Sequence, residues 1–309
     1  MNLSIYEYLV IIILVVGWIS YIKTKKWIYI LFTVTALLFI SGFIPSATTS
    51  KTVGIYSSLI VLLIGLIAYK IQLIRIKKYQ EGTYYKQTQV DYYDLHHGDI
   101  GRYGEFLVYD ELKSLETEGV RILFNAYIPK PDGTTSEVDV IIITKCGLFI
   151  VESKNYSGWI FGDKYRKMWM QMIGGGRKNQ FYNPIWQNHS HCKYLKELLN
   201  IDESCLTSYI VFSDRCEFKK VPSNTMECKV IHRQHFFQYI CKDMKLKNEI
   251  FTDVDVIHMY EIIYPLTKVD DALKQKHIEN IRKYWVLLLK RNYEIEYKMI
   301  QVTLWMSVH

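Results

Sequence analysis

The sequence predicts an α/β domain preceded by a membrane segment of three helices. Three observations carry this. The first 75 residues hold three long apolar stretches, residues 137–154 alternate as an apolar strand pair around a tight turn, and amphipathic helical patterns flank that pair. With 309 residues, 50% of them hydrophobic, the chain can bury one ordinary core and still carry extra elements.

The apolar stretches are Tyr8–Ile22, Trp27–Ile44 and Val53–Tyr69, and each is almost free of charge. Each comes near the roughly 20 residues that cross a bilayer. Leu3–Glu7 extends the first, so the expected spans are about 3–22, 27–44 and 53–71. A soluble helix keeps a polar face, and these keep none. The leader "MNLSIYEYL" has no basic region of the kind that opens a cleaved signal peptide. "KTKK" follows the first stretch and "KIQLIRIKK" the third, whereas "PSATTSKT" after the second holds one lysine. The positive-inside rule then puts the N-terminus outside and everything after about residue 75 in the cytoplasm of a multi-pass cell-membrane protein. Residues 76–100 read as a juxtamembrane linker, helical or extended.

The formal net charge is +7, and residues 1–100 contribute +4 of it, from nine Lys and Arg against five Asp and Glu. The remaining +3 is too little to argue nucleic-acid binding from charge alone. Six cysteines (146, 192, 205, 216, 228 and 241) form no CxxC pair, which fits a reducing compartment.

"EVDVIIITKCGLFIVESK", Glu137 to Lys154, is apolar in the middle and ionisable at its ends. Strict alternation puts Glu137, Asp139, Ile141 and Ile143 on one face, and Leu148, Ile150, Glu152 and Lys154 on one face of the next strand. With "TKCG" as the turn, opposite residues have numbers summing to 291. Asp139 then faces Glu152, and Glu137 faces Lys154, with Cβ atoms about 4.5–5.5 Å apart. Two carboxylates so close repel, and a hard cation such as Mg²⁺ would relieve them. On an arbitrary hairpin a solvated strand end with a Glu137–Lys154 surface pair is the plainer reading. Two neighbouring segments reverse that preference. In "GRYGEFLVYDELKSL", Glu105 lines up with Val108, Leu112 and Leu115, so an acid sits on a buried stripe, while Asp110, Glu111 and Lys113 point to water. In "NPIWQNHSHCKYLKELL", Asn183 caps a helix, Pro184 opens it, and Gln187 and His191 share a face.

"GxxGE" at 101–105, "EVD" at 137–139, "ESKNYSGWIFG" at 152–162 and "NPIWQN" at 183–188 resemble the nuclease-related domain, NERD, of the PD-(D/E)XK nuclease superfamily. The resemblance covers about residues 98–215. It implies a mixed sheet flanked by helices for residues 101–215, with 216–309 as a mostly helical α/β extension. It also implies roles. Asp139 and Glu152 would hold a divalent metal, Mg²⁺ or Mn²⁺, helped by the Ser153 carbonyl. Lys154 would position or activate the attacking water, Glu105 would complete the acidic cluster, and Gln187 would orient phosphate or Lys154.

Other candidates read more plainly. "GGGR" at Gly174–Arg177 lacks the GK[ST] ending of a P-loop and is expected as a flexible loop near the substrate. Cys228, His232, His235 and Cys241 fit no standard zinc spacing. His191 is a candidate phosphate contact, and Trp159 and Trp169 are expected to pack the sheet. Strands are expected at 206–213 and 227–232, and helices in "RQHFFQYICKDM", "DVDVIHMYEIIYP" and "DDALKQKHIENIRKYWVLLLKR". The expected function is a membrane-anchored, cytoplasmic, metal-dependent nuclease acting on DNA. The alternatives are a non-catalytic tethered module that binds nucleic acid or protein, and a purely structural membrane protein, which the acids on the sheet disfavour.

Overall fold

The computed structural model describes residues 51–283, with side chains described from residue 63 onward. The expected spans at 3–22 and 27–44 lie outside the described residues. The third falls within a continuous helix, α1 (Lys51–Glu81). Among the described residues no helix is long and apolar enough to cross a membrane, so the structure lends that span no support.

The described residues divide into two compact units, one within residues 51–85 with 91–94 and the other within residues 86–90 with 95–283. In the first, Tyr79 on α1 meets the rings of Tyr85 and Tyr92 edge-on, and Gln72 donates to the Tyr93 hydroxyl at 2.7 Å. Two short helices, α2 (Thr83–Thr88) and α3 (Tyr92–His97), follow α1.

The second unit holds the α/β fold. Helix α4 (Ile100–Leu112) precedes β1 (Arg121–Pro129), β2 (Thr135–Thr144) and β3 (Gly147–Lys154). Then come β4 (Gly158–Phe161), β5 (Met168–Ile173), β6 (Arg177–Tyr182), α5 (Pro184–Leu199), β7 (Leu206–Phe212), β8 (Cys216–Lys220), β9 (Cys228–His232), α6 (Phe236–Leu246), α7 (Asp253–Ile263) and a helix, α8, over 271–283. The main sheet has the order β1-β2-β3-β7-β9, antiparallel up to β3 and parallel after it. A second sheet, β6-β5-β4-β8, ends in a parallel β4–β8 pair. Both sheets therefore take a strand from residues after 215, a stretch expected to be mostly helical.

The β2–β3 register follows the 291 sum, with Val140 opposite Val151, Ile141 opposite Ile150, and Thr144 opposite Gly147 across a two-residue turn. The strict alternation of faces does not survive. Val138, Ile141 and Ile143 all pack into one core with Leu195 of α5, and so do Leu123, Ala126 and Ile128 of β1. Each strand thus changes faces at one rung, Asn125 on β1 and Asp139 on β2. Their paired neighbours are Phe124 with Val140 and Ala126 with Val138. The cause is local. Asn125 has φ 51°, the left-handed region, and one such residue twists a strand out of its pleat. The expected common face of Glu137, Asp139, Ile141 and Ile143 is corrected accordingly.

Candidate active site

Two close approaches set the site's frame. A Cβ on Gly104 of α4 would lie 2.7 Å from the Asn155 Cβ, so only glycine lets the helix sit against the end of β3. Asn155 Nδ2 donates to the Ile100 carbonyl at 2.6 Å, and Arg215 Nη2 donates to both the carbonyl and the side-chain oxygen of Asn155 at 2.9 Å. Gly158 has φ 78°, and a Cβ there would meet the Met172 carbonyl at 2.3 Å. These glycines explain "GxxGE" and "KNYSG" as packing requirements of the strand end.

Helix α5 is aimed by asparagines. Asn183 accepts from the Ile185 N–H at 3.0 Å and donates to the Arg166 carbonyl at 2.8 Å. Asn188 donates to the Ile150 carbonyl and to Ser208 Oγ, both at 2.8 Å, which ties α5 to β3 and β7. Gln187 is thereby turned toward Lys154, whose Nζ lies 3.3 Å from Gln187 Oε1.

At the end of β3 the ladder with β2 stops at Val140–Val151. Asp139 lies one rung beyond, and its Oδ2 accepts the Ser153 N–H at 2.7 Å. Glu152 is buried, and each of its oxygens has one partner, which leaves a lone pair on each. Lys154 donates to Oε1, and His191 Nε2 stands 3.1 Å from Oε2. His191 Nδ1 is 2.7 Å from Ser136 Oγ. His191 is therefore a buried bridge between β2 and β3 that also lines the cavity. Glu137 is also placed otherwise than expected. The Tyr127 hydroxyl donates to Glu137 Oε1 at 2.8 Å, and His277 Nε2 lies 3.6 Å from Oε2. The Glu137–Lys154 pair does not form, because Tyr127 of the neighbouring strand takes Glu137 while Glu152, two residues before Lys154, takes the lysine.

The charges explain each titration. Burial, then the Glu152 and Glu105 charges, push the Asp139 carboxyl well above its usual range. Burial pushes Glu105 up to about 7, with Glu137 adding to the rise and a hydrogen bond from Asn125 opposing it. Burial also works against the Glu152 charge, but Lys154 and His191 hold its carboxyl below the usual carboxylate range. Burial works against the Lys154 ammonium too, and Glu152 and Asp139 outweigh it, raising the lysine further. Glu105 lies where the stripe pattern puts it, with Val108, Leu112 and Leu115 buried behind it. Glu111 does not point freely to water, since Arg233 reaches it at 3.1 Å.

A cavity of about 270 Å³ reaches this group at Asp139 and Gln187, and is lined also by Lys130, Glu137, His191 and His277; Glu105, Glu152 and Lys154 stand behind its wall. The donors suit a hard divalent cation. The buried Glu105 Oε2 has no hydrogen-bond partner, and Asp139 and Glu105 repel each other without one. Among the described residues no three His, Cys, Asp or Glu side chains converge on one metal position, which leaves a site of one or two carboxylates completed by water.

A family model described as the nuclease-related domain matches residues 100–213, the segment from the start of α4 to the residue after β7. A protein of Bacillus anthracis, the uncharacterized pXO1-01/BXA0003/GBAA_pXO1_0003, is 32% identical over 184 residues, spanning 58% of this chain and 82% of that protein. This chain belongs to the nuclease-related domain family. No solved structure matches it.

Within the nuclease-related domain, Asp139, Glu152, Lys154 and Gln187 form one contiguous group, and Glu105 joins it through its charge on Asp139. Sequence reasoning missed Asn125, Tyr127, Asn188 and His277. Asn125 had a signal, a lone amide in "RILFNAYIP". His277 had none. It comes from α8, outside the matched segment, to stand 2.9 Å from Thr135 Oγ1 and edge-on to Tyr127.

Proposed function

We propose that this protein hydrolyses phosphodiester bonds of nucleic acid, with DNA as its substrate and a divalent metal at Asp139. The observation that carries the reading is the pairing of a charged, half-buried Lys154 with a repelling carboxylate group whose Asp139 lines an open cavity. A core without chemical purpose does not keep four ionisable side chains at a strand end.

Asp139, with the Ser153 carbonyl and Glu152, would hold Mg²⁺ or Mn²⁺, and Glu105 would bind through water. That ion supplies charge stabilisation on a phosphate oxygen and an acidified water. The chain's own residues do the rest. Lys154 is held as an ammonium, so it positions water and offsets charge on the phosphorus, and takes no proton as a base. Gln187 limits where that ammonium can swing. His191 fixes Glu152, so that Lys154 has a stationary counter-ion.

Membrane anchoring with a cytoplasmic domain belongs to the same proposal. It is supported by the sequence of residues 1–75 and by the exposure of Leu63, Ile64, Ile67, Ile71 and Ile74 on α1. The test is the full chain with Mg²⁺ or Mn²⁺ against plasmid, linear DNA and RNA. Cleavage lost in Lys154→Ala and in Asp139→Asn supports the reading. Nucleic acid bound but never cut, with Lys154→Ala indistinguishable from wild type, would replace it by the binding-module alternative.

A further inference from the structure

The positive charge of this domain is concentrated in its second sheet. The second sheet with its turns, residues 158–182 and 216–220, holds seven Lys and Arg against Asp163 and Glu217, a net +5. Residues 101–309 carry +3 altogether, so the rest of that span is net −2. One face of the sheet covers Ile210 and Phe212 of β7 through Ile160, Trp169 and Phe181. Lys164, Arg166, Arg177, Lys178, Lys219 and Lys220 are exposed.

The hairpin is built to project. Met168–Tyr182 through Ile173–Arg177 pair without interruption. Gly175 and Gly176, at φ 80° and 74°, close the turn, so the stretch expected as a flexible loop is a tight hairpin end. Its other end is the site. Tyr182 lines the cavity beside Asp139, and Asn183 caps the helix that carries Gln187. At about 3.4 Å per residue, Arg177 lies roughly 17 Å along β6 from Tyr182, the axial length of about five base pairs.

We infer, on the phosphodiester-cleaving reading of the site, that this sheet and its β5–β6 hairpin grip the phosphate backbone of a duplex leading into the cavity. The exposed aromatics decide between duplex and unpaired bases. Trp159 and Tyr165 are 46% and 76% exposed, and free rings of that kind would stack on splayed bases. Here each is capped by a cation. Lys219 Nζ stands 4.8 Å from the Trp159 ring centre, and Lys164 Nζ stands 4.7 Å from that of Tyr165. The surface offers ammonium groups where a stacking platform would offer bare rings, and phosphate is the partner such groups fit. Trp159 thus serves the surface and does not pack the sheet as expected.

The test measures binding of the full chain by fluorescence anisotropy, without divalent metal, over a salt series. The probes are blunt DNA and RNA duplexes of about 20 base pairs and a single strand of equal length. Arg177→Ala/Lys178→Ala and Lys164→Ala/Arg166→Ala should each weaken duplex binding about tenfold, and lower the salt dependence by about one unit for each phosphate no longer bound. Lys242→Ala/Lys245→Ala on α6 should bind as wild type. Thermal melts within a few degrees of wild type show that the variants fold. Hairpin variants with wild-type affinity and salt slope overturn the inference. So does equal weakening by the α6 pair, or a single strand held as tightly as either duplex. Wild-type protein that shows the expected binding pattern yet never cuts with Mg²⁺ or Mn²⁺ leaves the grip standing and removes the catalytic reading alone.

Discussion

His191 Nε2 stands 3.1 Å from Glu152 Oε2, and the same ring reaches Ser136 Oγ at 2.7 Å with Nδ1. A carboxylate only accepts, so Nε2 carries a proton, and in the neutral ring Nδ1 accepts from the Ser136 hydroxyl. Removing the ring leaves a buried carboxylate with one partner fewer. His191→Ala should cost about 2–3 kcal/mol in urea unfolding, and Ser136→Ala about 1 kcal/mol. Equal midpoints for His191→Ala and wild type would show that the bridge contributes nothing.

Asp139 carries its charge at a cost, because burial and two neighbouring carboxylates oppose it. Asp139→Asn keeps an acceptor for the Ser153 N–H and removes the repulsion. The metal-free variant should be more stable than wild type near neutral pH, read as a rise in melting temperature. Adding Mg²⁺ should raise the wild-type melting temperature and leave the variant's unchanged. A variant that melts lower without metal and still responds to Mg²⁺ contradicts both parts.

Glu105 sets a pH dependence. Its carboxyl rises from 4.5 to about 7 on folding, so the folded chain holds that proton more tightly than the unfolded one. Below the unfolded value both states are protonated and the group is neutral toward folding. Between 4.5 and about 7 the folded state loses relative stability as pH rises, and above that the loss is complete. The difference in melting temperature between Glu105→Gln and metal-free wild type should therefore grow across that window, in favour of the variant. A flat difference from pH 4.5 to about 7 counts against the burial of Glu105.

Asn125 should separate backbone from side chain. At φ 51° a glycine is comfortable and an alanine is strained. Asn125→Ala should destabilise by about 1–3 kcal/mol and Asn125→Gly by clearly less. Both lose the donor to Glu105, so both should shift its titration upward equally, read by NMR of labelled glutamate. Equal stability loss in the two variants would exclude the backbone account.

Local features of this protein were legible in its sequence, and distant pairings were not. The 291 register follows from a two-residue turn, and the Asn183–Pro184 start of α5 follows from capping chemistry, so Asp139, Glu152, Lys154 and Gln187 could be named from short segments. Glu105 was readable because an acid on an apolar helical stripe is conspicuous. The Glu137–Lys154 pair failed because it treats two strands as isolated, and β1 brings Tyr127 to Glu137. The break in alternation at Asp139 failed for a related reason. Its cause is the backbone of Asn125 on another strand, and no period within β2 encodes it. His277 lies 142 residues from Thr135, and β8 reaches β4 across β5, β6, α5 and β7. Such pairings are set by the assembled fold.

The late strands β8 and β9 also put the molecule on a clock. Translation delivers the acids, Lys154 and Gln187 before residue 200, yet β4 has an open side until β8 emerges, and β7 until β9 does. After Gln187 the two hydrogen-bonding edges are closed only when the ribosome has added roughly 30 to 45 more residues, on the order of seconds. A nascent chain stalled there would carry all the charged groups of its site on a sheet still open to its neighbours. The interval between chemical completeness and a closed sheet is when a chaperone would matter most to this protein.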